Sequence, residues 1–175
     1  MHTCCAPCTV APYRSIVATG NYSVSCLWYN NNIHPYQEYK RRFDTFKDWT
    51  GRENIDSIII DDYSPEEFLK NVAERSNERC YYCYYHRMKK TAELAQKYAF
   101  DAFTTSLLYS IYQNHDLMKS IGEELAKRYG VEFFYQDFRT LWKEGIEISK
   151  KEEMYRQPYC GCIYSEKDRY YKQKN

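Results

Sequence analysis

Seven of the eight cysteines in this 175-residue chain lie in three short clusters, at its beginning, middle and end. The clusters are 2–8 (HTCCAPC), 80–83 (CYYC) and 160–162 (CGC). Hydrophobic packing gives no reason for such spacing, whereas metal binding and thiol redox chemistry both require thiols close together. We therefore expect a fold that brings both ends and the middle of the chain to one metal or redox centre.

The composition favours one globular domain spanning 1–175, with 43% hydrophobic and 28% charged residues. No apolar run approaches the ~20 residues of a membrane-spanning helix, and the chain does not open like a secretory signal. These features favour a reducing compartment, where clustered cysteines bind metals or carry out redox chemistry instead of forming structural disulfides. The net charge of +1 does not indicate a nucleic-acid partner.

Strand-like and helix-like segments alternate along the chain. Apolar β-rich runs are found at 22–29, 55–60, 102–105 and 131–135. The alternation predicts an α/β fold with a parallel sheet of about five strands and helices on both faces. Only four of the five strands are visible. The missing one would be the first strand of the chain, before the first cysteine cluster, so we expect that strand to be truncated. Ligands of such sheets bind beyond the carboxyl ends of the strands, where the first cluster would lie.

Helices are predicted between and after these runs. Their expected positions are 9–19, 35–49, a segment opening at 64–65, 79–98, 116–129 and a polar stretch to about 154. Thr9 is expected to cap the first helix, and Gly130 to end the fifth. The chain is then expected to finish in a short charged tail after the third cluster.

A Cys-x-x-Cys at a helix start places two thiolates on one side of a turn, which is common in metal sites. Together with Cys4 and Cys5, the Cys80 and Cys83 pair supplies four thiolates. A 4Fe–4S cluster and a structural zinc both require that number, and the spacing leaves both open.

Three thiols, Cys8, Cys160 and Cys162, remain after those four. The one-residue spacing of Cys160 and Cys162 is too tight for most structural sites. It suits a redox-active dithiol or two ligands of a second metal. Surplus thiols beside a cluster favour electron storage over a purely structural role.

His34 follows the first predicted strand and could donate a proton, because the pKa of histidine lies near neutrality. It could equally shape the turn before Pro35. His2, His86 and His115 are expected to be structural or exposed.

Other polar residues have simpler interpretations. The basic clusters 40–42 and 87–90 are interpreted as solvated helix faces, although around a site they could hold phosphates. Asp61 and Asp62 could bind substrate or cap a helix, and Cys26 is interpreted as a buried core thiol.

Five segments in order resemble those of one family: 2–8 (HTCCAPC), 32–39 (NIHPYQEY), 78–84 (ERCYYCY), 103–108 (FTTSLL) and 155–162 (YRQPYCGC). The chain resembles the cobalamin-independent epoxyqueuosine reductases, the QueH family, over essentially its whole length. The resemblance implies a Rossmann-like α/β fold of the HUP type and a cytoplasmic enzyme with no membrane association. It also implies the reduction of epoxyqueuosine to queuosine at the wobble position of tRNA with a GUN anticodon.

This reaction converts an epoxide into an alkene with two electrons and two protons, and the electrons come from an external donor. The resemblance implies that the 4Fe–4S ligands are Cys4, Cys5, Cys80 and Cys83. It further implies that Cys160 and Cys162 are a redox-active pair or, with Cys8, the ligands of one additional iron. We hypothesise that His34 or a metal-bound water protonates the departing oxygen.

Two other function classes remain open. One is a thiol-dependent tRNA sulfur-transfer enzyme, because HUP-type folds often bind ATP. Against it, Pro7 and Cys8 stand where a phosphate-binding loop needs glycines. The other is a non-catalytic zinc-binding RNA module, which metal analysis separates from a reductase.

Overall fold

The computed structural model describes residues 1–171, in which helices alternate with short strands. The helices are α1 (Ala6–Val17), α2 (Tyr36–Arg52), α3 (Pro65–Val72), α4 (Arg79–Lys97), α5 (His115–Tyr129), α6 (Trp142–Lys151) and α7 (Ile163–Tyr170). The strands are β1 (Cys26–Trp28), β2 (Ser57–Ile59), β3 (Ala102–Phe103) and β4 (Glu132–Phe133). Short 3-10 turns cover Ser76–Glu78, Ser106–Tyr109 and Phe138–Leu141. The α/β class predicted from the sequence is confirmed.

The strands pair in parallel as two separate two-stranded sheets, β1 with β2 and β3 with β4. His2 forms one parallel bridge to Leu27 of β1 and another to Thr105, just after β3. Its N–H donates to the carbonyl of Thr104 at 2.8 Å, and the N–H of Thr3 donates to that of Leu27 at 2.8 Å. A continuous five-stranded sheet would need a full strand between β1 and β3. Within residues 1–171, the single residue His2 lies there instead.

The side chain of His2 braces this junction and is fully buried. Its Nδ1 lies 3.0 Å from the hydroxyl of Thr105, and its Nε2 lies 3.3 Å from the side-chain oxygen of Asn30. Burial, followed by the nearby charge of Arg87, lowers the pKa of His2 to about 3. A neutral, hydrogen-bonded ring confirms the structural interpretation of this histidine.

Helix α1 begins at Ala6, so the prediction that Thr9 caps it is wrong. Pro7 lies in the first turn, where its missing N–H needs no partner. Thr9 lies inside that turn, and its hydroxyl donates to the carbonyl of Cys5 at 2.8 Å. The cysteine loop therefore runs directly into the helix, which places Cys8 on α1 itself.

Two groups of buried side chains pack around the strands. One joins α1, α4 and α5 through residues such as Ile16, Met88 and Leu125. The other joins β1 and α2 and contains Trp28 and Cys26, which confirms Cys26 as a core thiol. These groups fix α1, α2 and α4, the helices on which the candidate site is built.

The end of the chain differs from the prediction of a charged tail, because Ile163–Tyr170 forms α7. The N–H of Glu166 donates to the carbonyl of Cys162 at 3.0 Å, so this helix starts directly from the third cysteine cluster. Positions 172–175 of that tail lie outside the described residues. Gly130 ends α5 with φ of 66°, as predicted. Among the residues described, none of the helices has the length and apolar character needed to cross a bilayer.

Candidate metal and redox centre

The first cysteine cluster forms a compact group of three thiols, called here the N-terminal trio. The sulfurs of Cys4, Cys5 and Cys8 all lie within 4.8 Å of one another. Cys4 and Cys5 are buried, and Cys8 is half-buried. In residues 1–171, no other three candidate ligand atoms of His, Cys, Asp or Glu meet this closely. The trio could therefore bind a metal ion.

The fold around α1 explains how the trio converges. Cys5 precedes the helix and Cys8 lies three residues later, so that both project from the same side of the first turn. The hydroxyl of Ser106 accepts from the N–H of Cys4 at 3.0 Å and donates to its sulfur at 3.3 Å. The side-chain amide of Gln157 donates to the sulfur of Cys8 at 2.9 Å. Residues distant in sequence thus hold both ends of the trio.

The three thiols of the trio differ in their pKa values, and hence in how readily each ionises. Hydrogen bonds from Cys5 and Cys8, supported by Ser106 and Arg87, hold the pKa of Cys4 well below its usual range despite its burial. Burial and the hydrogen bond to Cys4 raise the pKa of Cys5 well above that range. Hydrogen bonds to Cys4 and Cys5, together with burial, raise the pKa of Cys8 in the same way. The arrangement favours one thiolate, on Cys4, supported by two thiols.

The second cluster lies in the first turn of α4. Cys83 is buried and Cys80 is exposed. The guanidinium of Arg87, one turn later, donates to the sulfur of Cys83 at 2.9 Å and to its carbonyl at 3.1 Å. Burial raises the pKa of Cys83 to about 12, an effect that Arg87 opposes. Cys83 packs in one apolar group with Phe68 and Cys162, which brings the second cluster to the third.

The third cluster, 160–162, is held mainly by side chains from other elements. Arg42 of α2 donates to the carbonyl of Cys160 at 2.8 Å. The side-chain amide of Gln113 donates to the sulfur of Cys160 at 3.3 Å. The N–H of Gly161 donates to the hydroxyl of Ser165 at 3.0 Å. Cys160 is exposed and Cys162 is buried.

His34 lies against this loop. Its N–H donates to the carbonyl of Gly161 at 2.8 Å, and its own carbonyl accepts from the hydroxyl of Tyr159 at 2.6 Å. The imidazole packs on Phe68 with 5.1 Å between ring centroids, and it is 5% exposed. Neither ring nitrogen has a hydrogen-bond partner among the described residues. Burial lowers the pKa of His34, which favours a neutral ring.

The chain is similar to known proteins over most of its length. A family model described as epoxyqueuosine reductase QueH matches residues 1–168. The chain belongs to the epoxyqueuosine reductase QueH family. A QueH protein of Dehalococcoides mccartyi is 36% identical over 170 residues, which cover 97% of this chain and 93% of that protein. The QueH protein of Haemophilus influenzae is 35% identical, with 96% of this chain and 71% of the relative covered. The QueH protein of Thermotoga maritima is 31% identical, with 94% of this chain and 88% of the relative covered.

The thiols of this QueH family member suit iron–sulfur ligation in their chemistry, because an all-sulfur donor set is typical of iron–sulfur clusters and of zinc. Their grouping in the structure differs from the two ligand sets that we predicted from the sequence. Cys8 lies with Cys4 and Cys5, and not within metal-sharing distance of Cys160 and Cys162 in the described residues. The division into 4Fe–4S ligands and a second iron site stays a prediction.

Two buried arginines of this QueH family member were misinterpreted in the sequence. Arg42 and Arg87, assigned to solvated helix faces, are 1% and 2% exposed. Each has a partner four residues earlier on its helix, the carboxylate of Glu38 at 2.7 Å and the sulfur of Cys83 at 2.9 Å. The four-residue spacing between each arginine and its partner could have indicated these contacts in the sequence. Other contacts to the thiols, from residues such as Ser106 and Gln157, have no comparable signal in the sequence.

Proposed function

We propose that this protein reduces epoxyqueuosine to queuosine in tRNA. The proposal is carried by the match to the epoxyqueuosine reductase QueH family, in a chain that has seven free thiols on three short segments. The substrate is a tRNA with a GUN anticodon, and the enzyme acts in the cytoplasm with electrons from an external donor.

The proposed cofactor is a 4Fe–4S cluster held by Cys4, Cys5, Cys80 and Cys83. When bound, it supplies single electrons. Support comes from the closeness of the Cys4 and Cys5 sulfurs, 3.8 Å apart, and from the position of Cys80 and Cys83 in one helical turn. We also propose a single metal-binding domain whose two small sheets form one HUP-type layer in the order β2, β1, His2, β3, β4. The two bridges of His2 support this order.

In the proposed reaction, the two C–O bonds of the epoxide break and the C=C bond forms. Two thiols, those of Cys160 and Cys162, supply two electrons and two protons, become a disulfide, and release the oxygen as water. The external donor then reduces the disulfide. Both thiols are free, and the exposure of Cys160 gives a substrate access to the pair. Ligation of an additional iron by Cys8, Cys160 and Cys162 is the alternative role of this pair.

We propose that His34 passes one of the two thiol protons to the departing oxygen. Its neutral ring has one N–H, neither nitrogen has a partner among the described residues, and its backbone is bonded to the Cys160–Cys162 loop. The test is a single turnover of pre-reduced His34→Ala enzyme with epoxyqueuosine-containing tRNA. A fall of roughly 100-fold, typical of a lost general acid, supports this role. An unchanged rate excludes it.

The proposed function is tested by anaerobic purification, reconstitution with iron and sulfide, and assay on epoxyqueuosine-containing tRNA. About four irons per chain, with optical absorption bleached by dithionite, would establish one 4Fe–4S cluster. A fifth iron would assign Cys8, Cys160 and Cys162 to a second metal site. Zinc alone, with no labile sulfide and no turnover, would contradict the reductase and favour a zinc-binding RNA module.

A further inference from the structure

Arg87 is a buried cation without a carboxylate partner. Its side chain is 2% exposed, and within residues 1–171 no acidic group lies within 4.0 Å of it. The other buried arginine, Arg42, is 2.7 Å from the carboxylate of Glu38. An unpaired charge in a protein interior is strongly unfavourable. The surroundings of Arg87 must therefore supply negative charge in another form.

A cysteine sulfur takes the place of a carboxylate beside Arg87. Arg87 donates to the sulfur of Cys83 at 2.9 Å, and its charge also acts on Cys160 and Cys4. These three cysteines come from three different clusters. The guanidinium is thus coupled by its charge to cysteines from the beginning, middle and end of the chain. Thiolates bound to a metal carry the negative charge that its position requires.

We propose that Arg87 is the counter-charge of a thiolate-ligated centre built from the three clusters, an inference that rests on the function proposed above. Arg87 acts through the ligands and is a positioning residue, because it contacts sulfur and not the substrate. One-electron reduction adds a negative charge to such a centre. A fixed cation and a hydrogen bond to a ligand sulfur both stabilise the reduced state, so that Arg87 raises the reduction potential.

The first experiment measures the reduction potential of reconstituted protein by dithionite titration followed by EPR. Arg87→Gln removes the charge and keeps an N–H donor, whereas Arg87→Lys keeps the charge. We expect the neutral variant to shift the reduction equilibrium roughly tenfold towards the oxidised state, about 59 mV for one electron. The lysine variant should stay close to wild type. Lys90→Gln removes a half-exposed charge from the same helix and is the matched control. Equal potentials in wild type and Arg87→Gln would overturn the inference.

The second experiment does not need an iron–sulfur cluster. Cobalt(II) alone is titrated into the metal-free full chain, and the thiolate-to-cobalt absorption band is followed. We expect Arg87→Gln to weaken cobalt binding roughly tenfold, and Lys90→Gln by less than about twofold, because Arg87 contacts a cysteine sulfur whereas Lys90 pairs with Glu93. Cobalt affinities equal in wild type and Arg87→Gln would contradict the role. If the wild-type chain takes up no iron and sulfide, the proposed reductase fails, while this titration still decides the role of Arg87.

Thermal melting separates a counter-charge from a purely structural arginine. A counter-charge matters most when the thiolates are ligated, so Arg87→Gln should lower the Tm of the cobalt-loaded protein more than that of the metal-free protein. Equal losses in both forms would show a structural role and overturn the inference. Arg87→Lys gives the same comparison if the neutral variant does not fold, with a smaller difference expected between the two forms.

Discussion

The N-terminal trio and the Cys160–Cys162 loop are held in place by different means. The trio is fixed chiefly by the backbone, because it lies between the bridges of His2 and the first turn of α1, and the side chains of Ser106 and Gln157 add contacts at its ends. The loop precedes α7 and is fixed mainly by side chains from elsewhere, above all by Arg42, with one backbone hydrogen bond from His34. Backbone pairing positions ligands rigidly, whereas side-chain contacts leave a segment free to adjust when they change. The trio therefore suits a permanent metal site, and the loop suits a pair that changes state during turnover.

The strongest test of this comparison removes a ligand from the trio. Cys4→Ser should abolish cluster assembly, because a serine replaces the thiol whose pKa is held well below its usual range by the neighbouring thiols. We expect a loss of most iron and at least roughly a 1,000-fold fall in turnover, a scale set by losing the redox group. Iron and sulfide content and single-turnover assays measure both effects.

Cys26→Ala is the matched control, since Cys26 is buried in the core away from the trio. It should keep its iron and lose about 1 kcal/mol of stability, as is usual for a small core truncation. If Cys4→Ser retained full iron content, the trio would not be the permanent metal site.

The second test acts on the loop through its buried ion pair. Arg42→Met leaves the carboxylate of Glu38 buried without its cation, so we expect a loss of about 3–5 kcal/mol of unfolding free energy. Adding Glu38→Gln removes the unpaired charge and should restore most of that stability.

Turnover should stay at least roughly tenfold low in both variants, because the carbonyls of Tyr159 and Cys160 have lost their donor. Denaturant unfolding and single-turnover assays measure the two effects. Full activity in the double variant would show that Arg42 does not position the loop.

The sequence predicted the parts of the molecule that depend on local pattern. Four strands and six helices follow from apolar runs and capping residues, and the spacing of the first cysteine cluster indicated the N-terminal trio. The start of α1 was misplaced because Thr9 resembles a cap, whereas Pro7 had already opened the helix. The burial of Arg42 and Arg87 was missed because their basic neighbours indicated a solvated face. Their partners four residues earlier were a usable signal, whereas the contact of Arg42 with the Cys160 carbonyl depends on the tertiary fold.

The third test changes the backbone of the loop itself. Gly161 has φ of 156°, and a Cβ there would lie 3.3 Å from the side chain of Ile33 and 3.4 Å from that of Arg42. Gly161→Ala should therefore displace the loop at a cost of about 1–3 kcal/mol. We expect turnover to fall roughly tenfold while the iron content stays at the wild-type level. Gly51→Ala, in α2 with no atom within 4 Å of the added Cβ, is the control. A simultaneous loss of iron would mean that the loop and the metal site are one rigid unit.

The smallest test compares one hydrogen bond in each region. Tyr159→Phe removes the bond to the carbonyl of His34 in the loop, and Ser106→Ala removes the hydroxyl that contacts Cys4 in the trio. Each should cost about 1 kcal/mol of unfolding free energy. The functional effects of the two substitutions should separate, because, of these two regions, only the trio contains proposed 4Fe–4S ligands. Ser106→Ala should shift the reduction potential and leave the loop unchanged, whereas Tyr159→Phe should slow turnover about two- to fivefold at an unchanged potential. EPR-monitored titration and single-turnover assays of both variants make the comparison. A shift of the potential in Tyr159→Phe would show that the loop also belongs to the metal site.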